Sequence, residues 1–268
     1  MIALVTGASS GIGEATARRL AREPGAHLVL VARREERLRA LAAELGGATV
    51  IAADLTDDQA PRQIARRVEE EHGRLDLLVN NAGAAWRGRF GEAGWENVRR
   101  HMEINFDSTV RLTEALLPLL RRSAPSAIVN VASTAGRVAR GNSGAYSASK
   151  FALCGWSDAL YLEEAEHGVH VGVVLPGFVA TEGFPQQELR DRAATRWLVS
   201  RPEKVADAIV DVGFGRKPER FVPRPYWIFS AMRAVAPRPL RRVLRGGGTT
   251  MTPATGADAA DTAGSGQA

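Results

Sequence analysis

Three side chains in the middle of the chain have types and spacings suited to acid–base chemistry. Tyr146 follows Ser133 by thirteen residues, and Lys150 follows Tyr146 by four. Positions i and i+4 lie on one face of a helix, so the Lys150 ammonium would lie near the phenol and favour its ionised form. A free tyrosine has a pKa of about 10, which a cation in a dry pocket would lower. The pattern predicts a proton-transferring tyrosine, although the same pair also occurs on ordinary solvated helices.

The amino terminus offers a place for a nucleotide. A short apolar run, Ile2 to Val5, is followed by Thr6-Gly7-Ala8-Ser9-Ser10-Gly11-Ile12-Gly13 and then by a segment with helical periodicity. Glycines let the backbone turn tightly and approach a ligand, and a helix N-terminus presents unpaired N–H groups to a pyrophosphate. Strand, glycine turn and helix together predict dinucleotide binding.

These motifs resemble the single-domain short-chain dehydrogenase/reductase family, and other motifs of that family follow in order. Asp54 follows an apolar run, and Asn80-Asn81-Ala82-Gly83 resembles the family's motif beside the cofactor. Asn105 matches its helix asparagine, and the segment Pro176 to Thr181 is similar to its turn at the nicotinamide carboxamide. The resemblance implies an NAD(P)-dependent oxidoreductase that interconverts a carbonyl and a secondary alcohol by hydride transfer.

The resemblance also implies roles for individual residues. Tyr146 would give a proton to the substrate carbonyl, or accept one in alcohol oxidation, while Lys150 would lower the Tyr146 pKa and hold the nicotinamide ribose. Ser133 would hydrogen-bond the carbonyl oxygen, and Asn105 would anchor the water chain that returns the proton. The cofactor-binding residues that it implies are Gly7, Ser9, Ser10, Gly11, Ile12, Gly13, Arg33, Asp54, Leu55, Asn81, Ala82, Gly83, Tyr146, Lys150, Pro176, Gly177, Val179 and Thr181.

The order of elements predicts the same fold independently. Strands alternating with helices indicate a parallel sheet covered on both faces, that is, a doubly wound, Rossmann-like α/β fold of three layers in a single domain. We expect this domain to span residues 1–225, an apolar and basic extension to span 226–245, and a disordered tail to span 246–268. The predicted strands are the apolar runs Ile2 to Val5, Leu28 to Val31, Val50 to Ala53, Leu77 to Val79, Ala127 to Val131, Val169 to Leu175 and Arg220 to Val222.

The choice of cofactor depends on the residues after the second predicted strand. An NAD-selecting fold would carry an acidic residue there, which would repel a 2′-phosphate, whereas this chain has Arg33. An arginine favours NADP(H), with NAD(H) as the alternative. Arg33 and Arg34 could instead begin an exposed helix and pair with the glutamates that follow. Ser10, at a glycine-turn position that is basic in many relatives, weakens the case for NADP(H).

The substrate is predicted from the aromatic and apolar residues near the motifs. They suggest a small hydrophobic ketone, aldehyde or secondary alcohol, although ordinary packing explains them nearly as well. Two alternatives remain open, a reductase of carrier-linked 3-ketoacyl groups and a cofactor-binding sensor without turnover. The residues concerned are Trp86, Phe90, Phe184, Leu189, Trp197 and Leu198.

Composition limits the partners and the compartment. A single cysteine, Cys154, cannot form an internal disulfide, and no signal peptide precedes the first strand, so we expect a cytoplasmic protein. The five histidines form no ligand pattern, so no metal is expected. The helices around 99–120 and 146–164 resemble the family's dimer interface, which predicts a homodimer or homotetramer, the tetramer being in doubt because the carboxyl end departs from the family pattern.

The positive charge is concentrated near the carboxyl end. Residues 216–268 contain nine Lys or Arg against three Asp or Glu. The apolar segment from Tyr226 to Val235 and the arginines after it could lie on an anionic membrane, or could pack as a lid or subunit contact. The segment is too short and too charged to span a membrane. Nucleic acid is not expected, because the charge is local and no reading motif accompanies it.

Overall fold

The computed structural model describes residues 1–182 and 199–246. Its strands are β1 (Ile2–Thr6), β2 (His27–Ala32), β3 (Thr49–Ala52), β4 (Leu77–Asn80), β5 (Ser126–Val131), β6 (Val169–Pro176), β7 (Phe178–Val179), β8 (Val199–Ser200) and β9 (Glu219–Val222). Its α-helices are α1 (Gly11–Leu20), α2 (Glu35–Glu44), α3 (Ala60–His72), α4 (Phe90–Met102), α5 (Ser108–Arg122), α6 (Gly144–Glu164), α7 (Pro202–Gly213), α8 (Trp227–Val235) and α9 (Pro237–Gly246).

Seven of the described strands form one parallel sheet in the order β3-β2-β1-β4-β5-β6-β9. Each of the seven predicted apolar runs lies largely within one of these strands, so the predicted Rossmann-like fold is confirmed. β1 pairs with β2 on one side and with β4 on the other, so the strand order reverses there. Ligands of such sheets bind at the carboxyl ends of the strands beside this reversal.

The core explains why the strands read as continuous apolar runs. Successive side chains point to opposite faces of a sheet, and both faces of this sheet are covered by helices. Val5 and Leu30 belong to a cluster packed under α1, α2 and α7. Leu4 and Leu78 belong to a second cluster, packed under α3 and α5. The buried sheet therefore fixes the positions of the loops at its carboxyl edge.

The described part of the C-terminal extension packs against the domain. Tyr226 is buried, and the Arg233 guanidinium carbon lies 4.7 Å from the centre of the Phe151 ring of α6. Among the described residues, no helix is both long and apolar enough to cross a membrane. The tail predicted to be disordered lies, from residue 247 onward, outside the described residues.

Candidate active site

The glycine turn joins β1 to α1 in the conformation that its sequence predicts. Gly7 and Gly11 have φ angles of 64° and 58°, in the left-handed region that favours glycine. A β-carbon on Gly13 would lie 2.2 Å from the Gly7 carbonyl oxygen, so the third glycine lets the helix approach the turn. The Ser10 side chain makes no capping hydrogen bond at the start of α1. The geometry therefore fits a phosphate at the helix N-terminus.

The next strand end is tied to this turn by side-chain hydrogen bonds. The Thr6 hydroxyl accepts hydrogen bonds from the backbone N–H groups of Asn81 and Ala82, each at 2.9 Å. The Asn81 side-chain amide donates to the Thr6 carbonyl at 2.9 Å. The predicted cofactor residues of the two loops thus form one rigid unit, which also holds Gly83 in place.

The residues predicted to hold the adenosine end lie beyond β2 and β3. Arg33 is 72% exposed and lies 3.8 Å from the Asp54 carboxylate. Although burial opposes it, hydrogen bonds from Thr56 and the charge of Arg33 hold the Asp54 pKa below its usual value. The Leu55 side chain is buried in the core, so only its backbone is available to a ligand.

Arg34, for which an exposed helix start was the alternative interpretation, is exposed at the N-cap of α2 and also contacts the glycine turn. Its Nη2 atom donates to the Ser10 hydroxyl at 2.7 Å and to the Ser9 hydroxyl at 3.1 Å. Ser10 is the position whose lack of charge weakened the case for NADP(H). Arg34 brings a cation to it from a residue distant in sequence, and the alternation of strand and loop gives no signal for that contact.

Asn105 lies in a π-helical turn, Glu103–Asp107, between α4 and α5. Its side chain is fully buried and exchanges two hydrogen bonds of 2.9 Å with the backbone of Ala84. It also donates to the Ser149 hydroxyl at 3.1 Å. A β-carbon on Gly83 would lie 2.6 Å from the Asn105 Oδ1 atom. Asn105 therefore links the loop after β4 to α6.

Ser133, Tyr146 and Lys150 are brought together between β5 and α6. A hydrogen bond joins Ser133 to the Tyr146 phenol, and the Ser133 hydroxyl also accepts from the Ala135 N–H at 3.1 Å. The buried Lys150 ammonium donates to the Val131 carbonyl at 3.0 Å and lies 6.0 Å from the centre of the tyrosine ring. The predicted helix face is confirmed.

The expectation that the Tyr146 pKa is lowered is wrong. Lys150 was expected to lower the Tyr146 pKa, but burial raises it, and the Ser133 hydrogen bond offsets this only in part. Burial also lowers the Lys150 pKa to about 8. The ammonium donates to the Val131 carbonyl, and burial disfavours both charged forms. A raised pKa keeps the Tyr146 phenol protonated at neutral pH and makes it a weaker acid than a free tyrosine.

The segment after β6 completes this edge of the sheet. Pro176 ends the strand, and a β-carbon on Gly177 would lie 2.6 Å from the Tyr226 ring. Val179 is buried, and the Thr181 γ-methyl group lies 3.2 Å from the place of a β-carbon on Gly11. Of the predicted carboxamide residues, Thr181 therefore lies directly beside the glycine turn.

The cleft wall contains residues that sequence reasoning missed. His101 is fully buried, its ring centre 6.1 Å from that of Tyr146, and its Nε2 atom accepts from the Trp86 N–H at 3.0 Å. Arg140 lies over the Phe178 ring at 4.6 Å. The sequence signal available for His101 was its position, one helical turn before Asn105.

Some of the predicted substrate residues are exposed, and others lie outside the described residues. Phe90 is 73% exposed, and four of the other apolar candidates lie outside the described residues. Burial raises the pKa of the Cys154 thiol to about 11, which fits a packing role. Within residues 1–182 and 199–246, no group of three or more metal-ligating side chains is assembled. The four undescribed candidates are Phe184, Leu189, Trp197 and Leu198.

Comparisons with known proteins agree with this geometry. Residues 1–191 match the family model described as short chain dehydrogenase. The oxidoreductase UcpA of Salmonella typhimurium is 39% identical over 184 residues, which cover 67% of this chain and 69% of that protein. The 3-oxoacyl-acyl-carrier-protein reductase of rhamnolipid biosynthesis from Pseudomonas aeruginosa is 36% identical over 226 residues, covering 80% and 82% of the two chains.

A solved structure extends the comparison. L-sorbose reductase from Gluconobacter frateurii, in complex with NADPH and L-sorbose, superimposes with a TM-score of 0.74 at 28% sequence identity. The similarity covers 82% of this chain and 93% of that one. Because the family model matches most of the chain, and because the fold agrees as well, the chain belongs to the short-chain dehydrogenase/reductase family of oxidoreductases that act on a carbonyl or alcohol group and use NAD(P)(H).

Proposed function

We propose that the protein reduces a hydrophobic ketone or aldehyde with NADPH. The observation that carries this proposal is the meeting of Ser133, Tyr146 and Lys150 between β5 and α6, with a phenol that is protonated at neutral pH. A protonated donor near neutral pH suits the reductive direction. Phe178 and Trp86 supply apolar wall for the substrate.

The proposed mechanism assigns one task to each residue. Bound NADPH would supply the hydride. Ser133 positions the substrate carbonyl oxygen, and Tyr146 gives that oxygen its proton. Lys150 would bind the ribose, and its positive charge would favour the return of a proton to Tyr146. Asn105 fixes the loop after β4 against α6, and so sets the distance between the proton donor and the cofactor residues.

The preference for NADPH is proposed from two arginines. Arg33 is exposed at the end of β2, and Arg34 is hydrogen-bonded to the hydroxyls of the glycine turn. Arg33 and Arg34 would hold the 2′-phosphate of the adenosine ribose, because a guanidinium can donate two hydrogen bonds to a phosphate. L-sorbose reductase, the structural neighbour, was solved with NADPH.

The first test is a paired titration of the purified protein with NADPH and NADH, followed by nicotinamide fluorescence. We expect NADPH to bind about tenfold or more tightly, because a charge-assisted hydrogen bond contributes about 1.5–3 kcal/mol. Arg33→Ala and Arg34→Ala should each remove most of this preference and leave NADH affinity within about twofold.

Arg39→Ala is the matched control, because Arg39 is exposed on α2, the helix that follows Arg34, and pairs with Glu35. Equal affinities for the two cofactors, or a preference for NADH, would remove the arginines from the site and favour NAD(H). Turnover of apolar ketones with the preferred cofactor then tests the reaction itself, and failure to bind either cofactor would contradict the proposed function.

We propose a homodimer formed through α5 and α6, the helices that resemble the family's dimer interface. Leu162, on α6, is 73% exposed, and Tyr161 beside it is 37% exposed. Exposed apolar side chains on α6 suit burial between two copies. A tetramer would need a second interface. The C-terminal extension packs against its own domain and gives no support for one.

We also propose that the C-terminal helices bind an anionic membrane surface. Trp227 and Ile228 on α8 are 56% and 46% exposed, and Val235 at its end is 83% exposed. Arg241 and Arg242 on α9 are exposed as well. Aromatic and aliphatic groups beside arginines suit the boundary between lipid headgroups and acyl chains.

Vesicle flotation tests the membrane proposal. We expect the full chain to float with vesicles of phosphatidylcholine and phosphatidylserine and to bind little to phosphatidylcholine alone. The double variant Arg241→Gln/Arg242→Gln should weaken binding about thirtyfold, at about 1 kcal/mol for each arginine. Arg62→Gln, on α3, is the control. Equal flotation with both vesicle types would overturn the proposal and favour a role of these helices as a lid or subunit contact.

A further inference from the structure

An arginine lies over the segment that follows β6, at a place that the proposed mechanism does not use. Arg140 lies in the loop between β5 and α6, and its guanidinium carbon is 4.6 Å from the centre of the Phe178 ring. Phe178 follows the turn whose Pro176 carbonyl accepts a hydrogen bond from Ser133. The arginine thus stands over the same wall that carries the predicted carbonyl-binding serine.

The surrounding loops hold Arg140 in place. Its carbonyl accepts a hydrogen bond from the Ser143 hydroxyl at 3.3 Å. The neighbouring Asn142 joins this loop to the one after β4, because its carbonyl accepts from the Gly88 N–H at 3.0 Å and its side chain accepts from Arg89 at 3.3 Å. The two loops that border the cleft are therefore joined beside the arginine.

The charges around Arg140 do not neutralise it within the described residues. Its ionisable neighbours there are the Tyr226 phenol and Arg87, with no carboxylate among them. Burial and the charge of Arg87 lower the Arg140 pKa, while Tyr226 acts in the opposite sense. Arg140 itself is exposed, so a ligand in solution can reach its guanidinium. An arginine with a second positive charge beside it favours an anion there.

The apolar groups of the same wall indicate the rest of the ligand. Phe178 faces the arginine, and Tyr226 packs against Gly177 beside it. Trp86 contacts His101, which in turn contacts Tyr146. A ligand along this wall would meet aromatic rings near the tyrosine and a positive charge at the rim.

We propose that Arg140 binds an anionic group, a carboxylate or a phosphate, on a substrate whose apolar section carries the carbonyl to Tyr146. This inference rests on the proposed carbonyl reduction and names the substrate class more narrowly. Sequence reasoning found no charged partner for an anion, because Arg140 is one of many arginines and its place in the cleft is set by loop packing.

Ligand binding to the protein in the presence of NADP⁺ tests the assignment without requiring turnover. The probes are octanoate, octyl phosphate and neutral 1-octanol, measured by calorimetric titration. We expect at least one anion to bind about tenfold or more tightly than octanol, through charge-assisted hydrogen bonds to the guanidinium. Whichever of the two anions binds more tightly identifies the anionic group of the substrate as a carboxylate or a phosphate.

Variants connect the preference to the arginine. Arg140→Gln should abolish the preference for the anion while leaving octanol binding within about twofold, and Arg140→Lys should keep part of it as a point charge. Arg62→Gln, an exposed arginine on the distant α3, should bind like the wild type. Equal binding of anions and octanol to the wild type, or an undiminished preference in Arg140→Gln, would overturn the assignment.

Reduction of neutral 2-octanone with NADPH, followed in the same preparations, separates the two claims. Turnover of 2-octanone together with no anion preference would refute the role of Arg140 and leave the proposed function standing. Anion binding that depends on Arg140 without reduction of any ketone would support the site and contradict the proposed reaction.

Discussion

Replacing Tyr146 with phenylalanine should lower the turnover number about a thousandfold while NADPH affinity stays within about twofold. A positioned general acid contributes about 10²–10⁴-fold to the rate, and phenylalanine removes the hydroxyl that would supply it. The ring would remain, with its contact to His101 at 6.1 Å between ring centres, so the cleft should keep its shape. Steady-state kinetics with an apolar ketone and a fluorescence titration of the cofactor measure both quantities.

A neighbouring serine supplies the control for this variant. The Ser147 hydroxyl is buried on the same helix and has no hydrogen-bond partner among the described residues. Ser147→Ala therefore deletes a hydroxyl from α6 without touching the proposed proton path, and we expect activity within about twofold of the wild type. Substantial turnover by Tyr146→Phe would show that another group donates the proton. A wild-type protein that binds NADPH but reduces no carbonyl would instead favour the sensor alternative.

Gly13→Ala should abolish useful cofactor binding and destabilise the fold. The new β-carbon would lie 2.2 Å from the Gly7 carbonyl oxygen and 2.7 Å from the Gly7 carbonyl carbon. Both are backbone atoms of the glycine turn, so no side chain can move aside, and α1 must shift away from β1. Overpacking of this kind costs about 1–3 kcal/mol of stability. Loss of two hydrogen bonds from backbone N–H groups to a phosphate would weaken NADPH binding about a hundredfold or more.

Thermal unfolding and NADPH titration of Gly13→Ala measure the two effects, with Gly91→Ala as the matched control. Gly91 lies in the first turn of α4, and a β-carbon there would meet no atom within 4 Å. Alanine is the better helix former, so Gly91→Ala should be neutral or slightly stabilising. Wild-type NADPH affinity in Gly13→Ala would show that the cofactor does not use this turn.

The fold was predictable because its strands are buried on both faces. Segments such as Leu28 to Val31 have only one stable environment, a parallel sheet between two layers of helices, and the structure places them there. The turn glycines were equally predictable, since Gly7 and Gly11 occupy positive φ angles. Local sequence determines these features, so they can be read without knowledge of distant contacts.

The cleft was less predictable because its charges depend on contacts between loops. Arg34 reaches Ser10 only after β1 and β2 have paired, and Arg140 meets Phe178 only after β5 and β6 have done so. The expected lowering of the Tyr146 pKa was wrong for a related reason. Helical spacing places Lys150 on the correct face, but the direction of its ammonium and the burial of the phenol are set by the surrounding strands.

We expect the contact between Tyr226 and Gly177 to couple two distant parts of the chain in evolution. Any β-carbon at position 177 would lie 2.6 Å from the tyrosine ring, so a larger residue there requires a different path for the C-terminal segment. The two positions should therefore covary among relatives, with glycine accompanying the aromatic residue. A chimera that receives residues 223–246 should accept them only where its own Pro-Gly turn is present.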